Sequence, residues 1–203
     1  MRPSRRTPAR PTPVHRLRVE KENEVRTHSA LKALLLAALL ALSGCVRIPD
    51  GIEPVTGFDA DRYLGTWYEI ARLDHPFERG LTDVSATYGR RDDGAISVLN
   101  KGWDTDAGAW DSAEGRAVFV EDPGTGFLKV SFFGPFYGAY VVFELDEDYQ
   151  HALVSGPNRD YLWLLARDPE LDAAVVDRLI ARAARAGFDT DALIRVTHER
   201  APH

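Results

Sequence analysis

Reactive side chains are sparse in this 203-residue chain, and their spacing excludes most catalytic centres. A single cysteine, Cys45, excludes an internal disulfide and any multi-cysteine metal site. His75, His151, His198 and His203 are scattered without metal-ligand spacing, and no His-Glu-x-x-His motif occurs. Ser155-Gly156 lacks the glycine-flanked elbow that presents a serine nucleophile. Asp104-Thr105-Asp106 opens like a calcium loop but lacks its glycine and closing glutamate. Asp146-Glu147-Asp148 reads as a solvated hairpin tip. No catalytic residue, no metal site and no cofactor is expected, and the chain is not expected to be an enzyme. What remains is one thiol in a distinctive setting and a supply of aromatic rings suited to apolar contact.

Charge and aromaticity divide the chain in two. Residues 1–44 carry nine Lys/Arg, three Glu and no aromatic residue, whereas 45–203 carry 16 Lys/Arg, 28 Asp/Glu and all 20 aromatics. A basic, aromatic-free leader cannot bury a core. Within it, Arg26, His28 and Lys32 precede a ten-residue apolar run, Ala33–Leu42, which leads into Ser43-Gly44-Cys45. A positive segment, a short apolar one and small residues predict a secretory signal. Leu42-Ser43-Gly44-Cys45 also resembles the lipobox of bacterial lipoproteins. That resemblance implies that Cys45 is alkylated by diacylglycerol, that the chain is cut before it, and that the new amine is acylated. Val46 stands where an Asp would favour retention, so the resemblance implies a lipid anchor in the outer membrane, facing the periplasm. The expected organisation is a leader over 1–44, a lipid-anchored tether over 45–57 and one domain over 58–203. A net charge of −6 with no basic block excludes a nucleic-acid partner.

The domain must be built from short strands. Thr66–Leu73, Leu81–Arg90, a strand through Ile96, Val98 and Asn100, Ala113–Val120, Phe127–Phe133, Gly138–Leu145, His151–Ser155 and Tyr161–Arg167 follow at roughly ten-residue spacing. Asp93-Gly94, Asp122-Pro123-Gly124, Gly134-Pro135 and Gly156-Pro157-Asn158 supply turn chemistry between them. Eight such strands predict a sandwich or an up-and-down barrel. One helix follows: Asp168 can cap it, Pro169 suits its first turn and Gly187 can end it. Leu171, Val175, Leu179 and Ala183 form an apolar stripe that would pack on the outside of a barrel. Leu193–Val196 is expected as a short ninth strand.

Here the chain resembles the lipocalins. Gly65-Thr66-Trp67 matches their Gly-X-Trp signature on the first strand, and Arg167 matches their late arginine. The segments Phe77–Gly80, Phe132–Gly138 and His151–Pro157 narrow the resemblance to the bacterial outer-membrane lipoprotein branch, whose relatives include apolipoprotein D. The resemblance implies an all-β, eight-stranded antiparallel up-and-down barrel with one C-terminal helix outside it. It implies that Arg167 lies across Trp67 at a closed end. The disulfides of apolipoprotein D and the catalytic cysteine of the prostaglandin-synthesising lipocalins have no counterpart here.

With Trp67 inward, strand alternation assigns the faces. Tyr161 and Trp163 share parity with Arg167, Val84 shares it with Ala86 and Tyr88, and Tyr140 with Val142 are taken as inward on the sixth strand. Val84, Tyr88, Tyr140, Val142, Tyr161 and Trp163 are therefore the expected ligand-binding residues; the resemblance to apolipoprotein D supports Tyr88 and Trp163. It further implies fatty acids or lysophospholipids as ligands, stored or transported in the cell envelope. The same rings would equally fill a closed core, leaving a barrel that serves as an interaction or assembly module, with a homodimer through Phe136 and Tyr137. The loop Asp74–Thr82 is long enough to overhang the open end as a lid, where Arg79 faces either a headgroup or solvent. The loop Gly134–Gly138 has three contacts open to it: membrane, partner or ligand.

Overall fold

The computed structural model describes residues 46–200. The leader and Cys45 lie outside the described residues. Nine strands run in order: β1 (Gly65–Arg72), β2 (Leu81–Arg90), β3 (Ile96–Asp104), β4 (Ala109–Phe119), β5 (Phe127–Phe133), β6 (Phe136–Leu145), β7 (His151–Ser155), β8 (Leu162–Ala166) and β9 (Ile194–Arg195). A one-turn helix α1 (Ala60–Tyr63) precedes β1, and α2 (Ala173–Arg185) follows β8. Each of β1 to β8 pairs antiparallel with its neighbours in sequence, and β1 pairs with both β2 and β8. The sheet therefore closes into an eight-stranded up-and-down barrel, which leaves no free edge among these strands. β9 joins outside the cycle, on Ala71 and Arg72 of β1. No helix of the described residues is long and apolar enough to cross a membrane.

Alternation splits the apolar residues into two cores. The inner one fills the end of the barrel where β1 begins, with Phe58, Tyr63, Trp67, Ile96, Leu128 and Leu165 among its members. The outer one lies between the barrel wall and α2, joining Ile70, Leu153 and Leu164 to Val176, Leu179 and Ala183. Residues 46–57, read from sequence as a tether, lie along the barrel. Val46, Ile48 and Ile52 pack into the outer core, and Val55 exchanges backbone hydrogen bonds with Val142 and Gly126.

The start of α2 corrects one expectation. Asp168 does not cap it; the cap is Asp172, whose carboxylate accepts from the N–H of Ala174 and Val175. Asp168 instead accepts from Glu170 N–H in a separate turn. The choice follows from packing: with Asp172 as cap, Leu171 just outside the helix and Val176 in its first turns meet in the same apolar cluster. The far end is as expected. Gly187 takes φ +86°, Phe188 N–H reaches Ala183 O and Gly187 N–H reaches Ala184 O, which satisfies the last carbonyls. The third and fourth strands also run further than their sequence signals, pairing out to Asp104 and Ala109. Asp104 there accepts from the N–H groups of Asp106 and Ala107, so it shapes a hairpin turn.

Replacing Asp172 by Ala is expected to lower the unfolding free energy by about 1 kcal/mol. Asp168→Ala should have the smaller effect of the two, and urea unfolding of both variants compares them directly.

Candidate ligand-binding site

The closed end is built around Trp67. The Arg167 guanidinium lies 4.1 Å above the indole centroid, and Tyr63 stacks on it at 4.6 Å. The indole N–H donates to Tyr63 O at 2.8 Å. Arg167 donates to the carbonyls of Thr66, Tyr149 and Arg62, which ties β1, the β6–β7 turn and α1 together. Gly65 is needed beside them, because it sits at φ +96° and a Cβ there would stand 3.2 Å from Arg167 Nη1. Above this plug, Tyr140 OH bridges Tyr63 OH and Tyr88 OH at 2.8 Å each. Burial raises the pKa of all three phenols, so the chain of hydroxyls stays neutral.

The other end is open. Register places Ala86, Asn100 and Ala113 in one row with Trp67, and Val98 with Gly115 in the next, so these positions face inward. Ala113 is nevertheless exposed, as is Gly138 opposite Val130, while Ala86, Asn100, Gly115 and Tyr140 keep part of their surface accessible. Small inward residues on β2, β3, β4 and β6 thus leave inward-facing surface above the tyrosines that solvent can reach. Phe132 lies against Gly115, where a Cβ would come within 2.8 Å of the ring.

A buried polar cluster lies under the mouth. The irregularity between Glu69 and Ala71 breaks alternation, so Glu69 pairs with inward Leu165 and Arg72 pairs with inward Trp163. Arg72 Nη1 donates to Glu69 Oε1 at 2.8 Å, and both side chains are almost wholly buried. Its Nη2 donates to the carbonyls of Glu78 and Leu81, which holds the loop 73–80 over the opening. The Glu78 carboxylate accepts from Trp163 Nε1–H at 3.0 Å and lies 3.0 Å from His75 Nε2. Tyr161 stacks on Trp163 and on Phe77 of the same loop. Burial opposes charge on Glu78, but His75 and the Trp163 N–H outweigh it and hold this carboxyl below its usual range. Burial, and then the facing Glu78 carboxylate, push Glu69 well above its own range, against the pull of Arg72. Arg72 Nε, His75 Nδ1 and Asn100 Oδ1 are among the buried side-chain atoms of the described residues without a hydrogen-bond partner in the protein, as are Ser131 Oγ and His151 Nδ1 elsewhere. Unpaired buried donors and acceptors are costly unless something else satisfies them.

The six residues expected to bind ligand fall at different depths. Tyr140 and Trp163 border the lumen with accessible surface, and Tyr161 sits at the mouth. Tyr88 is buried in the hydroxyl chain, and Val84 lies against Gly102 in the wall. Val142 is enclosed in the closed-end core with no accessible surface. Arg79 is exposed and pairs with Asp74 at 2.8 Å. Glu69, Arg72, His75, Glu78 and Asn100 did not emerge from the sequence pattern. Glu69 and Asn100 could have been found by parity with Trp67; the loop residues offer no period to read. A groove of about 450 Å³ lies outside the barrel, bordered by Ile70, Leu171, Val176 and Arg195. None of the buried unpartnered side-chain atoms among the described residues belongs to it, so the lumen is the stronger candidate. No cluster of metal-ligating side chains occurs among the described residues.

A barrel plugged at one end and open at the other over an apolar, partly polar-headed lumen is the architecture of a small-molecule binding protein. The lipocalin-like domain model matches residues 58–198, and the chain belongs to the lipocalin family. It is 53% identical over 167 residues to the outer membrane lipoprotein Blc of Vibrio cholerae, across 82% of this chain and 97% of that one. It is 56% identical over 148 residues to the Escherichia coli K12 outer membrane lipoprotein Blc, across 73% and 84% of the two chains. Among solved structures, insecticyanin from the tobacco hornworm Manduca sexta superposes with a TM-score of 0.60 at 22% identity, covering 74% of this chain and 85% of that one. That last likeness is one of fold.

The two carboxyls carry opposite pH signatures. Glu69, raised in the folded state, contributes fully below its ordinary value of 4.5 and loses that contribution as pH rises through the raised one. Glu78, lowered, contributes above 4.5 and loses its contribution as pH falls through its folded value. Urea titrations run upward from about pH 5 should therefore show a decline that Glu69→Gln, neutral throughout, flattens. An unchanged slope in that variant would assign the decline to other groups.

Proposed function

We propose that this lipocalin binds a single-chain lipid, a lysophospholipid or a fatty acid, and stores or carries it in the cell envelope. The observation that supports this reading is the accessible surface kept by the inward positions Ala86, Asn100, Ala113, Gly138, Tyr140 and Trp163, together with the unpartnered buried atoms Arg72 Nε, His75 Nδ1 and Asn100 Oδ1. An acyl chain would lie against the inward wall and stop at the tyrosine hydroxyls. Its polar head would satisfy the unpartnered atoms near the mouth, while one face of the loop 73–80 covers it. Binding would add apolar burial of about 0.8 kcal/mol per methylene before the cost of ordering the chain. The narrow barrel favours one chain over the two of a diacyl lipid.

In the same reading the protein is an outer-membrane lipoprotein. Leu42-Ser43-Gly44-Cys45 would direct acylation of Cys45, and the relatives named outer membrane lipoprotein agree with that destination. Several acyl chains on one cysteine anchor a protein stably where one chain does not.

Titration of the purified protein with lysophospholipid, followed by tryptophan fluorescence, should show saturable one-site binding. Trp163→Ala is expected to weaken it by roughly tenfold, the size of one lost aromatic contact of about 1.4 kcal/mol. A folded barrel that binds neither lysophospholipid nor fatty acid would sink the carrier reading and leave an interaction module in its place.

A further inference from the structure

Large apolar side chains are distributed unevenly over the surface. Among the described residues four are exposed, Phe77, Phe133, Phe136 and Ile194. The three phenylalanines all stand at the open end. Phe77, 73% exposed, is on the loop over the mouth; Phe133 and Phe136, 75% and 57% exposed, face each other across the β5–β6 turn. The opposite end presents the exposed charges Arg91, Asp92, Asp93, Glu121, Asp122, Glu147 and Asp148 on its turns. The open end also carries exposed charges, Asp74, Arg79, Asp106 and Asp160, so it is the three exposed phenylalanines that give the barrel a direction.

The path of the chain agrees with that direction. Asp50 O accepts from Arg159 Nη2 at 2.6 Å, in the turn between β7 and β8. Two residues later in that turn Tyr161 stacks on Phe77. The chain thus joins the barrel beside the open end. Cys45 is five positions before Asp50, at most about 18 Å of fully extended chain. Val46 and Ile48 pack against the outer core, which shortens the reach further. Asp50 therefore lies beside the mouth, and an anchor five positions before it has only a short reach.

We propose that the open end docks on the bilayer that anchors the chain, with Phe77, Phe133 and Phe136 seated among the headgroups. This rests on acylation of Cys45, as proposed above. Aromatic side chains are favoured at that depth, and the short leash makes contact an intramolecular event with a high effective concentration. The mouth would then meet its ligand at the membrane surface, and a lipid would enter or leave the lumen without crossing water.

The test uses the full chain, processed in cells and reconstituted into phosphatidylethanolamine–phosphatidylglycerol vesicles that carry a nitroxide lipid. With Cys45 acylated, Phe136→Cys provides one free thiol for an environment-sensitive fluorophore, and Asp92→Cys provides the control at the opposite end. Flotation with the vesicles reports anchoring separately from orientation. The expected result is flotation of both, with the label at 136 several-fold brighter than at 92 and quenched by the nitroxide. Flotation with neither label quenched would overturn docking while leaving the anchor intact. A bright but unquenched label at 136 that depends on protein density would assign the rim to a second copy and overturn it too. A chain that does not float would refute the anchor, and the docking that rests on it.

Discussion

The cation–π contact between Arg167 and Trp67 decides what the barrel can be. The contact itself is worth about 0.5–2 kcal/mol. Its larger effect is positional, because the same guanidinium holds the carbonyls of Thr66, Tyr149 and Arg62. Those bonds pull α1, the start of β1 and the β6–β7 turn over one end and seal it. An eight-stranded barrel sealed at both ends would be a packed core; sealed at one, it retains a lumen. Once Trp67 is fixed inward, the two-residue period of each strand fixes every other inward position until an irregularity intervenes.

One such irregularity makes the polar part of the site. The break between Glu69 and Ala71 turns Arg72 inward, where regular alternation would have turned it out. A guanidinium there must be satisfied, and two of its three nitrogens are: Nη1 by Glu69 within the strand and Nη2 by two carbonyls at the base of the loop over the mouth, while Nε has no partner in the protein. The loop in turn brings Glu78 to the Trp163 N–H. The loop over the mouth, the buried polar cluster and the barrel wall are therefore one connected network. Removing either partner of this buried contact would leave the other without its hydrogen bond, so the network also braces the rim.

How far the sequence discloses this follows from periodicity. The strand positions and the apolar stripe of α2 are carried by regular spacing, and the closed-end pair of Trp67 and Arg167 by the resemblance of Gly65-Thr66-Trp67 and Arg167 to the family's signature. Asp172 and Asp168 are equivalent as capping side chains, and only the meeting of Leu171 with Val176 distinguishes them. Val142 has the parity of a lining residue but lies too deep, because parity gives a face and not a height along the barrel. Arg72 escapes because its direction depends on a broken register, and His75 and Glu78 because a loop has no period. Asn100 has inward parity, but its amide oxygen is of interest only because nothing in the protein reaches it, which spacing cannot show.

The most direct measurement of the central claim is a crystal structure of the protein grown with a lysophospholipid. The account predicts one acyl chain in the lumen between Tyr140 and Trp163, ending at the Tyr63–Tyr140–Tyr88 hydroxyls, with the polar head against Arg72, His75 and Asn100. A lipid lodged only on the outer surface, with the lumen closed by repacked side chains, would contradict it.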